Sequence, residues 1–175
     1  AFFAPPSFKP DYSRVVGSGA FGQVYFGTLT DTNTPVCVKV SRDASDTSFE
    51  KEFELLAKLK GKQAIIQTHG YHDGGSTRFI VLERGDGALE QLLNMPRYSL
   101  GLHRDILKEL MRDLAKALTV LSEMNIAHRD IKPMNILYFI HKKSSSSLCT
   151  QYTFKLCDFG EGRTVQGMDS TYHTV

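Results

Sequence analysis

The first forty residues alternate between short apolar runs and turn-forming stretches. Runs of β-branched and aromatic residues at 15–16, 24–26 and 36–38 are typical of strands. Glycines at 17–22 and turn-forming residues at 30–35 separate them, so the pattern predicts a meander of three strands. The proline-rich residues 1–11 are predicted to form an extended arm.

The spacing of apolar residues changes from that of a strand to that of a helix at residue 46. Apolar residues recur there at helical spacing, at Phe49, Phe53, Leu56 and Leu59. The spacing predicts a helix over 46–60 that Gly61 ends. Strands are predicted at 65–71 and 78–83, and the polar turn 73–76 would join them as a hairpin.

The second half of the chain has mainly helical periodicity. A short helix is predicted at 89–94 and a long one at 104–125, followed by a loop at 126–135 and by strands at 136–140 and 152–157. The predicted buried face of the long helix contains Ile106, Leu107, Leu110, Leu114, Leu118 and Leu121. Glycines at 85 and 87 mark the boundary between a β-rich and a helix-rich lobe. A cleft between two such lobes suits a nucleotide.

Charge and composition exclude several classes of protein. A net charge of +2 on 175 residues argues against nucleic-acid binding as the main role. No apolar run approaches the roughly 20 residues of a membrane span. The three cysteines, Cys37, Cys149 and Cys157, form no paired framework, which predicts a reducing, intracellular and cytoplasmic setting. Since the chain lacks an initiator methionine, we expect it to be an excised or processed segment.

A glycine-rich string follows the first predicted strand: Gly17-Ser18-Gly19-Ala20-Phe21-Gly22-Gln23-Val24. Glycines let backbone amides approach phosphate oxygens closely. A tight turn without a ligand is the alternative interpretation. A dinucleotide-binding fingerprint would require a helix directly afterwards, whereas the residues that follow here are strand-like.

Two charged residues further along are candidates to support a phosphate site. Lys39 ends the third strand, where a lone lysine is usually just solvated. At this offset from a glycine-rich hairpin, however, a lysine can reach phosphates. The helix that follows carries Glu50, Glu52 and Glu54. Glu52 is the preferred partner of Lys39, and a solvated face is the simpler interpretation for the other two acids.

The most specific string is His128-Arg129-Asp130-Ile131-Lys132-Pro133-Met134-Asn135. It offers a carboxylate to accept a hydroxyl proton, a cation two residues later and an amide oxygen that can bind Mg²⁺. Asp158-Phe159-Gly160 follows a predicted strand and adds a carboxylate that could bind Mg²⁺ beside the amide oxygen.

The order of these motifs resembles that of protein kinases over residues 12–175. Lys132, two residues after Asp130, is similar to the serine/threonine pattern. The resemblance implies an α+β, protein-kinase-like two-lobe fold with an incomplete C-lobe. The N-lobe would cover residues 12–84. The hinge and the first part of the C-lobe would cover 85–175, and the chain would end within the activation segment.

The resemblance also implies ATP and Mg²⁺ as cofactors and a role for each motif residue. Lys39 would contact phosphates and pair with Glu52, Asp130 would be the catalytic base, and Lys132 would neutralise the transferred phosphate. Asn135 and Asp158 would hold Mg²⁺. Leu82 would be the gatekeeper before a hinge at 83–85. The implied nucleotide-binding residues are Gly17, Ser18, Gly19, Ala20, Phe21, Gly22, Val24, Cys37, Lys39, Leu82, Glu83, Gly85 and Leu137.

Some features depart from this pattern and leave alternatives open. Cys37 replaces the usual alanine. A polar insert at 141–151 is expected to be an exposed loop, and a docking or phosphorylation site is the alternative. Phosphorylation candidates in the activation segment are Ser170, Thr171, Tyr172 and Thr174. A protein substrate and an activating kinase or regulatory partner are expected. The alternatives to a serine/threonine kinase are a pseudokinase, a nucleotide-binding regulatory module, and an interaction domain that binds through an exposed helix face.

Overall fold

The computed structural model describes residues 7–19, 22–41, 43, 47–141 and 151–165. Ala20, Phe21, the side chain of Ser18, the interior of the polar insert at 142–150 and the phosphorylation candidates at 170–174 lie outside the described residues. No helix within the described ranges is long and apolar enough to cross a membrane.

A five-stranded antiparallel sheet forms the N-terminal half. Its strands are β1 (Phe8–Gly19), β2 (Gly22–Leu29), β3 (Pro35–Ser41), β4 (Thr68–Asp73) and β5 (Arg78–Glu83), in the order β1-β2-β3-β5-β4. The predicted meander and hairpin are confirmed. β1 begins at Phe8 and pairs with β2 from there, so the last residues of the range expected to be an arm are part of the sheet.

The two faces of this sheet have different neighbours because side chains alternate along each strand. One face builds a small core from Tyr25, Leu29, Val36, Val38, Val40 and Val81. Lys39 lies between Val38 and Val40 in β3, so its side chain projects from the opposite face, where α1 (Thr47–Lys58) supplies Glu52. The helix predicted over 46–60 is confirmed, and Gly61 follows it with a φ of +77°.

The strand predicted at 65–71 forms three residues later, at β4. Ile65 and Ile66 are instead fully buried against the C-terminal half of the chain. Ile66 N donates to the Leu156 carbonyl at 2.9 Å, and Leu156 N donates to the Ala64 carbonyl at 2.9 Å. The apolar pattern therefore reflected burial between the two halves rather than pairing within the sheet.

The second half contains two predicted helices and several short strands. The helices are α2 (Leu89–Leu93) and α3 (Arg104–Glu123), and the strands are β6 (Gly87–Ala88), β7 (Ile126–Ala127), β8 (Ile136–His141), β9 (Gln151–Leu156) and β10 (Arg163–Thr164). β8 pairs with β6 and β9, and β10 pairs with β7. The 128–135 segment lies between β7 and β8, and Asp158 follows β9 by two residues.

The buried face of α3 differs from the predicted one. It contains Ile106, Leu110, Asp113, Ala117 and Leu121. Leu107 and Leu118, which were predicted to be buried, are each 47% exposed. The prediction followed the leucines, whereas the buried face includes a small residue and a carboxylate that accepts a hydrogen bond from the backbone of β9.

Candidate active site

Lys39 joins two carboxylates that are distant in sequence. Its ammonium lies 2.6 Å from Glu52 Oε2 and 3.1 Å from Asp158 Oδ1. Glu52 is 2% exposed. The structure therefore brings together one residue from β3, one from α1 and one from the segment after β9. Glu50 and Glu54 are exposed.

The surroundings of Lys39 favour its charged form. Burial acts to lower the pKa of Lys39, but the charges of Glu52 and Asp158 outweigh burial and raise it overall. Burial raises the pKa of Glu52, and the ammonium of Lys39 opposes that effect. We take the Lys39–Glu52 pair as charged at neutral pH, because a short bond between opposite charges stabilises both charged forms.

Three residues of the 128–135 string form one connected group. The Lys132 ammonium lies 2.8 Å from Asp130 Oδ2. Asn135 Nδ2 donates to the same oxygen at 2.9 Å and to the Asp130 carbonyl at 2.8 Å. The hydrogen bond from Lys132 is the main cause that lowers the pKa of Asp130, so this side chain is a carboxylate at neutral pH.

His128 connects this group to the end of β9. Its Nε2 lies 2.9 Å from the Cys157 carbonyl, and Asp130 N lies 3.3 Å from its Nδ1. A carbonyl only accepts and a backbone N–H only donates, so the neutral tautomer with the proton on Nε2 satisfies both bonds. Burial lowers the pKa of His128, which favours this neutral form. The His128 ring also packs edge to face against the Phe159 ring, with 4.7 Å between the ring centres.

Asp158 lies at a turn with left-handed backbone geometry. Its φ is +62°, which is uncommon for a residue with a side chain. Cys157 N, directly before it, donates to the Asn135 carbonyl at 2.9 Å. These contacts hold the end of β9 beside the 128–135 string and direct the Asp158 carboxylate towards Lys39.

The expected adenine-contacting residues follow the same face of the sheet as Lys39. Cys37 is two residues before Lys39 in β3 and pairs with Leu82 of β5, while Val24 of β2 pairs with Lys39. Burial raises the pKa of Cys37 to about 11, so it is a neutral thiol. From the C-terminal half, Leu137 packs closely on Gly85, where an added Cβ would lie 3.1 Å from Leu137 Cβ.

The glycine-rich string forms the hairpin between β1 and β2. Gly17 pairs with Val24, and Gly19 pairs with Gly22. Gly22 has a φ of +130°, and a Cβ there would lie 2.2 Å from the Val40 carbonyl oxygen. The last glycine is therefore required by its backbone conformation and by its close approach to β3.

The residues proposed for a metal offer hard oxygen ligands. Because the Asn135 amide nitrogen donates to Asp130, the amide oxygen is the atom that Asn135 can offer to a cation. Asp158 is 41% exposed and can offer a carboxylate oxygen. Amide and carboxylate oxygens fit Mg²⁺. Within the described residues, no three His, Cys, Asp or Glu side chains form a ready-made metal cluster.

Sequence reasoning missed two contacts near the hinge. The side chain of Glu83, considered earlier only as part of the hinge, is bound by Lys155 of β9 at 2.7 Å. The Arg84 guanidinium lies 3.8 Å from the centre of the Phe26 ring. No local motif marks either pair, because each joins residues that are far apart along the chain.

Comparison with known proteins agrees with this arrangement. The family model for the protein kinase domain matches residues 11–175. The chain is 35% identical over 154 residues to the inhibitor of nuclear factor kappa-B kinase epsilon subunit homolog 1 of Caenorhabditis elegans, an alignment that covers 83% of this chain and 18% of that protein. It is 32% identical over 165 residues to the serine/threonine-protein kinase mos of Patiria pectinifera, which covers 89% of this chain and 44% of that protein.

The chain thus spans less than half the length of each of these relatives. It has the α+β fold expected of the family, with a β-sheet lobe followed by a second, helix-containing part. The family match extends over nearly all of the chain, including every motif described above. This chain belongs to the protein kinase domain family.

Proposed function

We propose that the protein transfers the γ-phosphate of ATP to serine or threonine hydroxyl groups of protein substrates. The observation that carries this proposal is the position of Lys39, whose ammonium bridges Glu52 and Asp158. A lysine charged and fixed in this way can bind phosphate oxygens without first being reorganised, which is the main contribution that a kinase site makes.

In this proposal, ATP lies between the two parts of the chain. Val24, Cys37 and Leu82 from the sheet and Leu137 from the other side would enclose adenine, and the backbone at 83–85 would bind its polar edge. The glycine hairpin would cover the phosphates. The apolar residues supply desolvation and shape, while the backbone groups orient the ring.

Asp130 would orient the attacking hydroxyl group. Both side-chain bonds from Lys132 and Asn135 engage Asp130 Oδ2, so we assign Oδ1 to the hydroxyl proton. The lowered pKa of Asp130 keeps the carboxylate charged. Such a weak base mainly aligns the nucleophile and receives its proton late. Lys132 would then stabilise the negative charge on the transferred phosphoryl group.

Asn135 and Asp158 would hold Mg²⁺ through their oxygens. When bound, this ion would neutralise charge on the phosphates. The remaining electrostatic stabilisation would come from Lys39 and Lys132. The substrate protein and the activating partner remain predictions that follow from family membership.

A Mg-ATP assay of the full-length protein with a generic protein substrate tests the proposal. We expect Asp130→Asn and Lys39→Met each to lower kcat/KM by about 10²–10⁴-fold, since each removes a group that acts in the transition state. Glu52→Gln should also reduce it, because Lys39 loses a charged partner. Glu54→Gln, on the exposed side of the same helix, is the matched control and should retain activity.

The same assay separates kinase activity from nucleotide binding without transfer. If the wild-type protein binds Mg-ATP but no substrate is phosphorylated under any condition tested, the protein is a nucleotide-binding regulatory module. Phosphorylation that persists undiminished in Asp130→Asn would contradict the role assigned to Asp130.

A further inference from the structure

A charged pair connects the hinge to the second part of the chain. The Lys155 ammonium donates to both carboxylate oxygens of Glu83, each at 2.7 Å. Glu83 ends β5 where the hinge begins, and Lys155 lies on β9 three residues before Asp158. The side chains are only 21% and 25% exposed. The bond therefore links the segment proposed to bind adenine to the strand that positions Asp158.

Backbone and side-chain bonds of Gln67 extend this connection to α1. Gln67 N donates to Glu83 Oε1 at 2.7 Å, and Glu83 N donates to the Gln67 carbonyl at 3.0 Å. Gln67 Oε1 accepts a bond from Gly61 N at 2.6 Å, and its Nε2 donates to the Lys62 carbonyl at 3.1 Å. Glu83 is thus fixed from both sides, by the turn after α1 and by β9.

Lys155 also contacts an aromatic ring on β8. Its ammonium lies 4.8 Å from the centre of the Phe139 ring on β8, a distance at which a cation is attracted to an aromatic face. The two Glu83 oxygens and the Phe139 ring therefore define where the ammonium can lie. A partly buried pair with this geometry is screened by salt less than a solvent-exposed pair.

We propose that Glu83 and Lys155 are a positioning pair for the nucleotide, an inference that rests on the proposed function. One ATP molecule must place its adenine at the hinge and, at the same time, its phosphates beside Lys39 and Asp158. The Glu83–Lys155 bond fixes the separation between these two ends of the site. Without it, the backbone bonds of residues 64–67 still join the hinge to β9, but their spacing is held less tightly and binding must restore it.

The test is a double-mutant cycle in the full-length protein. Glu83→Gln removes the charge but keeps an oxygen that can accept the bond from Gln67 N. Lys155→Met removes the ammonium and keeps an unbranched, flexible side chain. We expect each single variant to raise the KM for ATP and the Kd for Mg-ATP about fivefold, the loss typical of a well-ordered ion pair, with kcat changed less than about twofold. The double variant should be no worse than either single variant.

Two further variants serve as controls. Glu109 and Arg112 form an ion pair on the surface of α3, at 2.9 Å, with the arginine side chain 55% exposed. Glu109→Gln should leave the KM for ATP unchanged. Lys155→Arg retains the positive charge and should keep the KM within about twofold of the wild-type value. Thermal unfolding of every variant shows whether it is folded.

Several outcomes would overturn the inference while leaving the proposed function intact. These are an unchanged KM in both single variants, additive effects in the double variant, or an equally large loss in Lys155→Arg and Lys155→Met. A lower unfolding temperature with unchanged nucleotide affinity would show a purely structural pair and would also overturn it. Failure of the wild-type protein to bind Mg-ATP would instead overturn the proposed function.

Discussion

At the scale of single residues, His128 shows how a buried polar group can hold the 128–135 segment in place. Both ring nitrogens have partners that require the neutral form: the Cys157 carbonyl for Nε2 and Asp130 N for Nδ1. A proton added to Nδ1 would turn an acceptor into a donor facing another donor. The hydrogen bond to Asp130 N would then be lost, and a buried charge would be created.

Stability should therefore depend on pH through His128. Burial lowers its pKa below the ordinary value of 6.5, so the unfolded chain binds a proton at a higher pH than the folded protein does. Stability is then fully present above pH 6.5 and decreases as the pH falls through that value. Urea unfolding at pH 7.5, 6.5 and 5.5 measures this. His128→Gln cannot titrate, and its free energy of unfolding should decrease less over the same interval. An identical decrease in both proteins would contradict the assignment.

At the scale of secondary-structure elements, the glycine hairpin contains one position that requires glycine and one that has room for a side chain. Gly22 has a φ of +130°, and an added Cβ would meet the Val40 carbonyl at 2.2 Å. At Gly17, an added Cβ would meet nothing within 4 Å. Gly22→Ala should therefore destabilise the pairing of β2 with β3, by about 1–3 kcal/mol. Gly17→Ala should change the free energy of unfolding much less. Chemical denaturation measures the free energy of unfolding of both variants. Equal decreases in the two would contradict the steric argument.

A second element-scale contact fixes α3 to β9. Asp113 is 6% exposed, and its Oδ2 accepts a bond from Phe154 N at 2.9 Å. Its Oδ1 lies 3.2 Å from the Lys116 ammonium. Asp113→Ala leaves the buried Phe154 N–H without this acceptor and should lower the free energy of unfolding by about 1–3 kcal/mol. Asp113→Asn retains an acceptor oxygen and should lower it less. If Asp113→Asn lowers the free energy of unfolding as much as Asp113→Ala does, the charge matters more than the hydrogen bond.

Asp113 also illustrates how much of the fold could be predicted from the sequence. Element types were predicted well wherever periodicity and turn residues agreed, as in β5, α1 and α3. The buried face of α3 was predicted incorrectly, because a prediction based on hydrophobicity alone excludes an aspartate from a core. The partner that makes its burial favourable lies 41 residues away. Tertiary context, which no local pattern contains, determined this face.

Residues of the candidate site, by contrast, could be proposed from the sequence because local patterns mark them. Asp130 and Asn135 lie in one string whose residue types and spacing are specific to one chemistry, whereas Lys39 is marked only by its place after the glycine-rich hairpin. Glu52 could be chosen from three acids only because it precedes Leu56 on the apolar face of its helix. The Glu83–Lys155 bond carries no such signal, since it depends on how two strands from different parts of the chain meet.

At the scale of the whole molecule, the two parts share one hydrophobic core. The same cluster contains Phe49 of α1 and Leu121 of α3, which are 0% and 3% exposed. The backbone bonds of Leu156 with Ile66 and with Ala64 cross between the two parts. Because neither part completes this core alone, loss of packing in one should be transmitted to the other. The molecule should unfold as one cooperative unit.

Leu121→Ala tests this coupling from the far end of the core. Removing the buried side chain should lower the free energy of unfolding by about 2–5 kcal/mol. If the core is one unit, hydrogen exchange in α1 should accelerate together with exchange in α3, although the substitution lies only in α3. Leu100→Ala, at a side chain that is 103% exposed, is the control and should change neither. Faster exchange confined to α3 would show that the two parts open independently. In that case the separation between hinge and Asp158 would depend on local contacts such as Glu83–Lys155 rather than on the shared core.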